Sequence, residues 1–307
     1  AGAQLIRDEV YWNRVEKVKG QIVFPQEYDD YVAAAGARNL EIVMILSYGN
    51  SLYGEGAPES PQQLAAWTRY VTAAVSRYRS QVKYWEVWNE FSHGGGLTDT
   101  QKAWSLEKKA DVYVALLEAS YRAIKAVAPE AVVIGLANAG VDLPFTEAVL
   151  ARGGGTFMDA ASVHPYRQPR PPETSQLLED LRAVRELIGP EKGLWCTEIG
   201  WPTHLSGGVD ENTQAEYLAR MYTMLAGLGF IDAVIWYDLQ NDGLDPYYNE
   251  HNFGIINYDS TPKPGYWAYG VISRALRGAT VTAQKQGANN LWQYALETAR
   301  GENGYVL

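Results

Sequence analysis

The sequence predicts an α/β protein of the (β/α)8 TIM-barrel class, on three observations. Short apolar runs alternate with longer amphipathic stretches, the pattern of βα units that feed a parallel sheet. The length, 307 residues, exceeds a typical single-core domain and suits a barrel, which commonly takes about 250 residues. Polar and charged residues recur at the ends of the apolar runs, where a barrel gathers its βα loops.

Seven runs read as strands: residues 4–8, 40–46, 83–88, 132–137, 159–163, 193–197 and 233–238. Most are nearly continuous apolar stretches, as strands buried on both faces should be. Between them, helical spacing is plain. In 61–79, Leu64, Trp67, Val71, Ala74 and Tyr78 recur at steps of three and four. In 105–127, Leu106, Ala110, Tyr113, Leu117, Ile124 and Val127 lie broadly on one face, and Pro129 ends the helix. Further helices are expected over 28–35, 175–188, 211–228 and 265–276. Seven strands is one short of a closed barrel, and no first strand is evident. The reading is that it preceded Ala1, or that the tail or another chain supplies its equivalent. The division expected is a barrel domain over 1–276 and a short C-terminal β appendage over 277–307, part of a small accessory sheet.

Composition narrows the function. The net charge of −10 repels nucleic acid and anionic membrane surfaces. No run approaches the roughly 20 apolar residues of a membrane span, so no membrane insertion is expected. Cys196 is the sole cysteine, which leaves no disulfide within the chain. A lone cysteine fits the cytoplasm and exported bacterial proteins equally. No signal peptide opens the chain, the start at Ala1 suggests processing, and a secreted or periplasmic protein is the expectation. Nothing in the sequence specifies an oligomeric state. Ten Trp and 21 Tyr is heavy usage. Such residues build large cores, and they also stack on the apolar faces of sugar rings; composition leaves the two readings even.

Read at the strand ends, the chain offers Arg7, Tyr48, Asn89, Glu90, Asn138, His164, Tyr166, Glu198 and Trp236 to one rim. Two carboxyl groups facing each other are the equipment of glycosidic cleavage: one protonates the leaving oxygen and the other attacks the anomeric carbon or activates water. Taken singly, a glutamate after a strand is most often a solvated carboxylate. Glu86 shares the alternation phase of Glu90 but lies four residues deeper, which favours a core or ion-pair role. Asp8 and Glu9 are read as structural partners of Arg7, since a buried arginine without a carboxylate is costly. His93, His204 and His251 fall in loops and show no metal-ligand spacing, so neither a metal nor a cofactor is expected. The glycines at 94–96 lack the Lys-Ser/Thr of a phosphate loop. Trp85, Trp88, Trp195 and Trp201 flank the glutamates, and alternation turns about half of them to the core.

Two segments carry a resemblance. Tyr84-Trp85-Glu86-Val87-Trp88-Asn89-Glu90 resembles the strand-4 signature of the clan A glycoside hydrolases, and Leu194-Trp195-Cys196-Thr197-Glu198-Ile199-Gly200-Trp201 resembles their strand-7 nucleophile segment. Arg7 to Trp12, Tyr48-Gly49-Asn50, His164-Pro165-Tyr166-Arg167, Trp236-Tyr237-Asp238 and Asn252-Phe253-Gly254 extend it to family 39 and its PslG-type bacterial exopolysaccharide hydrolases, over some 270 residues. The resemblance implies a retaining β-glycosidase with Glu90 as acid/base and Glu198 as nucleophile. It further implies that Asn89 bonds the sugar 2-hydroxyl, that Arg7 holds Glu198 ionised and that Tyr166 orients it. His164 and Trp236 would floor the subsite of cleavage, with Tyr48 and Trp201 among the substrate contacts. Phe91 stands where relatives carry Pro. The expected substrate is an oligosaccharide or polysaccharide, cut in endo fashion. The alternative is a barrel that binds carbohydrate without cleaving it, and a metal-dependent hydrolase ranks behind both.

Overall fold

Capping and proline chemistry set the element boundaries. The structure, a computed structural model, describes residues 2–286, 292–297 and 303–306. In chain order come β1 (Leu5–Tyr11), the one-turn α1 (Trp12–Val15), α2 (Gln26–Gly36), β2 (Glu41–Ser47), α3 (Pro61–Tyr78), β3 (Tyr84–Val87) and the short α4 (Asp99–Lys102). Next are α5 (Leu106–Val127), β4 (Val132–Ala139), α6 (Leu143–Ala151), β5 (Ala160–His164), α7 (Leu177–Ile188) and β6 (Gly193–Ile199). Then follow α8 (Glu211–Leu228), β7 (Ala233–Trp236), α9 (Pro264–Leu276), β8 (Thr280–Gln286), β9 (Trp292–Glu297) and β10 (Asn303–Val306). The seven parallel strands are ordered β1 to β7 as they occur in the chain. Sequential parallel order with intervening helices is the arrangement of a (β/α)8 barrel. Among the described residues no eighth strand joins that sheet.

The chain packs as two compact units. The first is Gln4–His164 with Ala183–Thr197, and the second is Pro165–Arg182 with Glu198–Leu307 and the N-terminal residues. In the first, β5 is buried along its whole length, and Ile42 to Leu46 of β2 are all sealed. The register pairs Arg7 with Val43, Ile45 with Glu86 and Glu86 with Ile134. Ser60 caps α3 reciprocally with Gln63, and Pro61 takes the first helical position. Ser105 caps α5, whose helical run stops two residues before Pro129.

Besides the one-turn α1 and α4, one longer helix escapes sequence reading. α6 is nearly all apolar (Leu-Pro-Phe-Thr-Glu-Ala-Val-Leu-Ala), so it shows no polar stripe for periodicity to detect. Its start is nevertheless marked, because the Asp142 side chain accepts the Phe145 N–H at 3.0 Å and Pro144 lies in the first turn.

In the second unit, Asp210 caps α8 through the Asn212 and Thr213 N–H groups. The end of β6 lies against β7, with the Tyr237 N–H donating to the Ile199 carbonyl at 3.0 Å. The tail forms the small antiparallel sheet β10-β9-β8; residues 287–291, 298–302 and 307 of the expected appendage lie outside the described ones.

Candidate active site

In the first unit, Glu90 sits where β3 breaks into a tight turn. Trp88 and Glu90 both hold positive φ, 69° and 53°, a region that costs non-glycine residues roughly 1–3 kcal/mol each. The turn is tied down on every side. The Trp88 N–H donates to the Leu46 carbonyl (3.0 Å) and the Glu90 N–H to the Ala137 carbonyl (2.9 Å). The Trp88 indole N–H reaches the Gly95 carbonyl at 2.7 Å. The Glu90 carbonyl accepts from Gly94 at 3.1 Å and Gly95 at 3.0 Å.

Ala137 itself belongs to an irregularity in β4, where Leu136 and Ala137 take φ of 75° and 42° and the pairing with β5 shifts register between Gly135 and Asn138. The freed amides find side chains: Leu136 N–H donates to the Tyr113 hydroxyl (2.6 Å) and Ala137 N–H to the Ser162 hydroxyl (3.2 Å). Glycine is required beside the turn. A Cβ at Gly95 would lie 2.4 Å from the Asn89 carbonyl oxygen, and one at Gly96 would lie 2.3 Å from the Tyr48 ring. Phe91, where relatives carry Pro, is sealed in an aromatic cluster with Trp88, Tyr113 and Phe145.

The side chains form one polar network. Arg7 Nε donates to Glu86 Oε2 at 2.5 Å, with the two side chains 7% and 0% exposed. Arg7 Nη2 donates to Asn89 Oδ1 at 2.6 Å, which fixes the amide so that its Nδ2 donates to the Tyr48 hydroxyl at 3.1 Å. His164 Nδ1 faces Glu90 Oε1 at 2.9 Å, and its Nε2 faces Thr197 Oγ1 at 3.1 Å. Ser162 and Thr197 hydroxyls both donate to Glu86 Oε1, at 2.6 and 2.8 Å. Arg7, Tyr48, Asn89, Glu90 and His164 thus come together, with the Glu90 side chain 29% exposed.

In the second unit, the Tyr166 hydroxyl donates to Glu198 Oε2 at 2.8 Å. Gly200, two residues on, is held so closely that a Cβ would sit 2.0 Å from the Tyr237 carbonyl oxygen. Tyr166 packs edge-on to Tyr237 and Phe253, and Trp236 stacks on Trp201 at 6.0 Å. Trp236 is 8% exposed, and its indole N–H meets no protein acceptor among the described residues. Two expected substrate contacts need correction in their mode. Trp201 is 0% exposed with its N–H on the Arg170 carbonyl at 3.0 Å, so it backs Trp236 rather than offering a face of its own. His164 is also 0% exposed, with its Nδ1 facing Glu90. The indole of Trp201 is consumed by structure because its apolar area is large enough to anchor the turn after β6.

Beyond this pair, burial dominates the titration. Asp238 is pushed up to about 8 by desolvation and by Asp242, against the pull of Lys263. Lys263 is pushed down to about 8 by its own burial while donating to Thr203 and Asn241. Tyr237 is driven far above the ordinary phenol range by burial, with Glu250, Asp238 and Glu198 adding to it.

Sequence reasoning passed over Ser162 and Thr197. Both are hydroxyl residues inside otherwise apolar strands, and a buried hydroxyl must find a partner. That was the available signal.

No family model and no curated protein matches the chain by sequence. Solved structures do. A family 39 glycoside hydrolase from the gut symbiont Bacteroides cellulosilyticus WH2 superposes with a TM-score of 0.83 at 28% identity, covering 98% of this chain and 64% of that one. A family 39 β-xylosidase from Caulobacter crescentus gives 0.66 at 20% identity, covering 95% and 69%. Xylanase 10B from Thermotoga maritima gives 0.63 at 15% identity, covering 87% and 86%; at these last two identities the likeness is one of fold. The chain spans somewhat less than two thirds of the Bacteroides enzyme. Its structural neighbours are family 39 glycoside hydrolases, and its fold is that of their clan.

Proposed function

We propose that this chain, with family 39 glycoside hydrolases as its structural neighbours, is a retaining β-glycosidase that cleaves an oligosaccharide or polysaccharide by double displacement. Glu90 protonates the leaving oxygen while Glu198 attacks the anomeric carbon to form a glycosyl-enzyme. Glu90 then takes a proton from water, which releases the sugar with its configuration kept. The chemistry requires the two carboxyl groups to flank one acetal at about 5–5.5 Å.

One observation carries the reading: the two glutamates have opposite hydrogen-bond partners. Glu198 receives a phenol O–H, which favours the carboxylate and keeps a nucleophile aimed. Glu90 faces an imidazole nitrogen, a group with which a proton can be shared. Two carboxyls held in different environments are the mark of an acid and nucleophile pair. Asn89, oriented by Arg7, turns its amide N–H groups away from the guanidinium, as a donor to a sugar hydroxyl should. Endo action, suggested by the Pro- and Gly-rich rim loops of the sequence, and a secreted or periplasmic setting, where polysaccharide is met, complete the proposal.

Two measurements test it. Glu198→Gln should abolish turnover while leaving the circular dichroism spectrum and melting temperature intact, and substantial remaining hydrolysis would refute the assignment. Proton NMR of the first product formed should show the β anomer; an α product would sink the retaining mechanism.

A further inference from the structure

The segments that follow β6 and β7 in the second unit are tied into one frame. The Leu205 N–H donates to the Pro246 carbonyl at 2.7 Å and the Thr203 N–H to the Asn252 carbonyl at 3.0 Å. The Asn252 amide donates to the carbonyls of Asp245 and Tyr248, at 2.8 and 2.7 Å. The Tyr247 N–H is taken by the Asp245 carboxylate at 2.9 Å, and the Asp245 N–H by His251 Nδ1 at 3.2 Å. Gly243 is packed so closely that a Cβ would lie 2.5 Å from the His251 ring.

On this fixed frame two consecutive tyrosines meet solvent. Tyr247 is 64% exposed and Tyr248 is 50% exposed, and the Tyr248 ring stands edge-on to His251 at 5.0 Å. A single exposed apolar side chain is ordinary, whereas consecutive aromatic residues held in water on a braced backbone suit a ligand. Each ring offers an apolar face and a hydroxyl, and the preset backbone keeps the entropy cost of binding low.

Position and charge identify the ligand. The Tyr166 hydroxyl donates to Glu198 at 2.8 Å, and Tyr166 packs edge-on to Tyr237 at 6.3 Å. The Tyr237 hydroxyl donates in turn to Glu250 Oε2 at 3.3 Å. Glu250 directly precedes His251, against which Tyr248 packs. The tyrosines therefore stand a few side chains from Glu198, within the same unit. Between Arg220 and Lys263 the chain holds no Lys or Arg, and Asp242 and Asp245 are exposed there. Lys263 itself is sealed, donating to Thr203 and Asn241. An anionic sugar chain would meet carboxylates with no cation from these segments to pair with.

We propose that Tyr247 and Tyr248 form a stacking platform for an uncharged sugar chain that runs on from the ring attacked by Glu198. The inference rests on Glu198 being the nucleophile of a glycosidase. It makes the substrate a chain of several sugars without carboxylates, rather than a disaccharide or a uronate polymer.

The test is native gel electrophoresis of the full chain carrying Glu198→Gln, which spares the polymer. The gels contain in turn mixed-linkage β-glucan, arabinoxylan, glucomannan, β-galactan and polymannuronate. At least one of the four uncharged polymers should retard the chain, and polymannuronate should not. Tyr247→Ala and Tyr248→Ala should each weaken that binding about threefold to tenfold at an unchanged melting temperature, and Tyr247→Phe should retain it. Retardation by none of the uncharged polymers, equal retardation by polymannuronate, or retardation untouched in the double alanine variant overturns the platform. Sedimentation of the unsubstituted chain as a dimer that the double variant dissociates would make the patch a contact between copies, and overturns it too. Should the tyrosine-dependent retardation be as described while the unsubstituted chain hydrolyses none of the polymers, the glycosidase reading fails and the platform alone stands.

Discussion

Glu90 is backed by an imidazole, two hydroxyls and a buried ion pair, whereas Glu198 takes the Tyr166 phenol O–H two residues before a close-packed glycine. In the first unit a sealed ion pair stands behind the residues around Glu90; in the second the Tyr166 phenol donates to Glu198, and Asp238 and Lys263 carry strong burial shifts. The difference teaches that the surroundings of Glu90 are bound up with folding through a buried ion pair, and that those of Glu198 include an uncharged phenol. Losing a group near Glu90 strands a buried charge. Losing the phenol beside Glu198 removes an uncharged group.

Substitutions can break or sharpen that contrast. The largest effect is expected from Glu90→Ala, which should slow unactivated glycosides by about 10²–10⁴-fold, with rate recovered by added azide on substrates whose leaving group needs no proton. A loss that azide does not touch on such substrates would place Glu90 outside the chemistry. Next, Glu86→Leu takes the sealed carboxylate away from Arg7 Nε, and urea titration should show about 3–5 kcal/mol of lost stability. A change below about 1 kcal/mol would mean that the pair does not hold the first unit together. Tyr166→Phe, by contrast, should keep the melting temperature and cost about 10- to 100-fold in kcat, the worth of a hydrogen bond to a charged group. If melting falls and kcat stays, the comparison is reversed.

The smallest effect concerns pH. Asp238 is raised to about 8 in the folded chain from an unfolded value near 4, so its contribution is present below about pH 4 and is lost as pH rises toward 8. Lys263, lowered to about 8, acts in the opposite direction only above that. The melting temperature should therefore decline between pH 5 and 8, and Asp238→Asn should flatten the decline. An unchanged slope in that variant would show that Asp238 is ionised throughout.

The strands and long helices were legible because their apolar spacing is regular. The expectation over 61–79 meets Pro61–Tyr78, that over 211–228 meets Glu211–Leu228, and that over 40–46 meets Glu41–Ser47. α6 was not legible, since a helix apolar on all sides has no period. The strand-end positions of Glu90 and Glu198 were legible from their motifs, and a carboxylate beside Arg7 from the cost of burying a cation, with Glu86, four residues below the rim, taking its Nε–H. The positive φ values at 88, 90, 136 and 137 carry no sequence signal, because tertiary packing and not residue type imposes them. Trp201 misled for a related reason: alternation assigns a face but cannot say whether a bulky neighbour covers it.

The three glycines at 94–96 have a consequence for how such a protein can change. With backbone and ring atoms already within 2.4 Å of where side chains at 95 and 96 would begin, this stretch is a fixed wall and not a site of variation. A mutant library randomised there should return almost no active clones, whereas one over Leu205 and Ser206, both open to solvent, should be tolerated. New sugar preferences would have to be written on the loops that still have room.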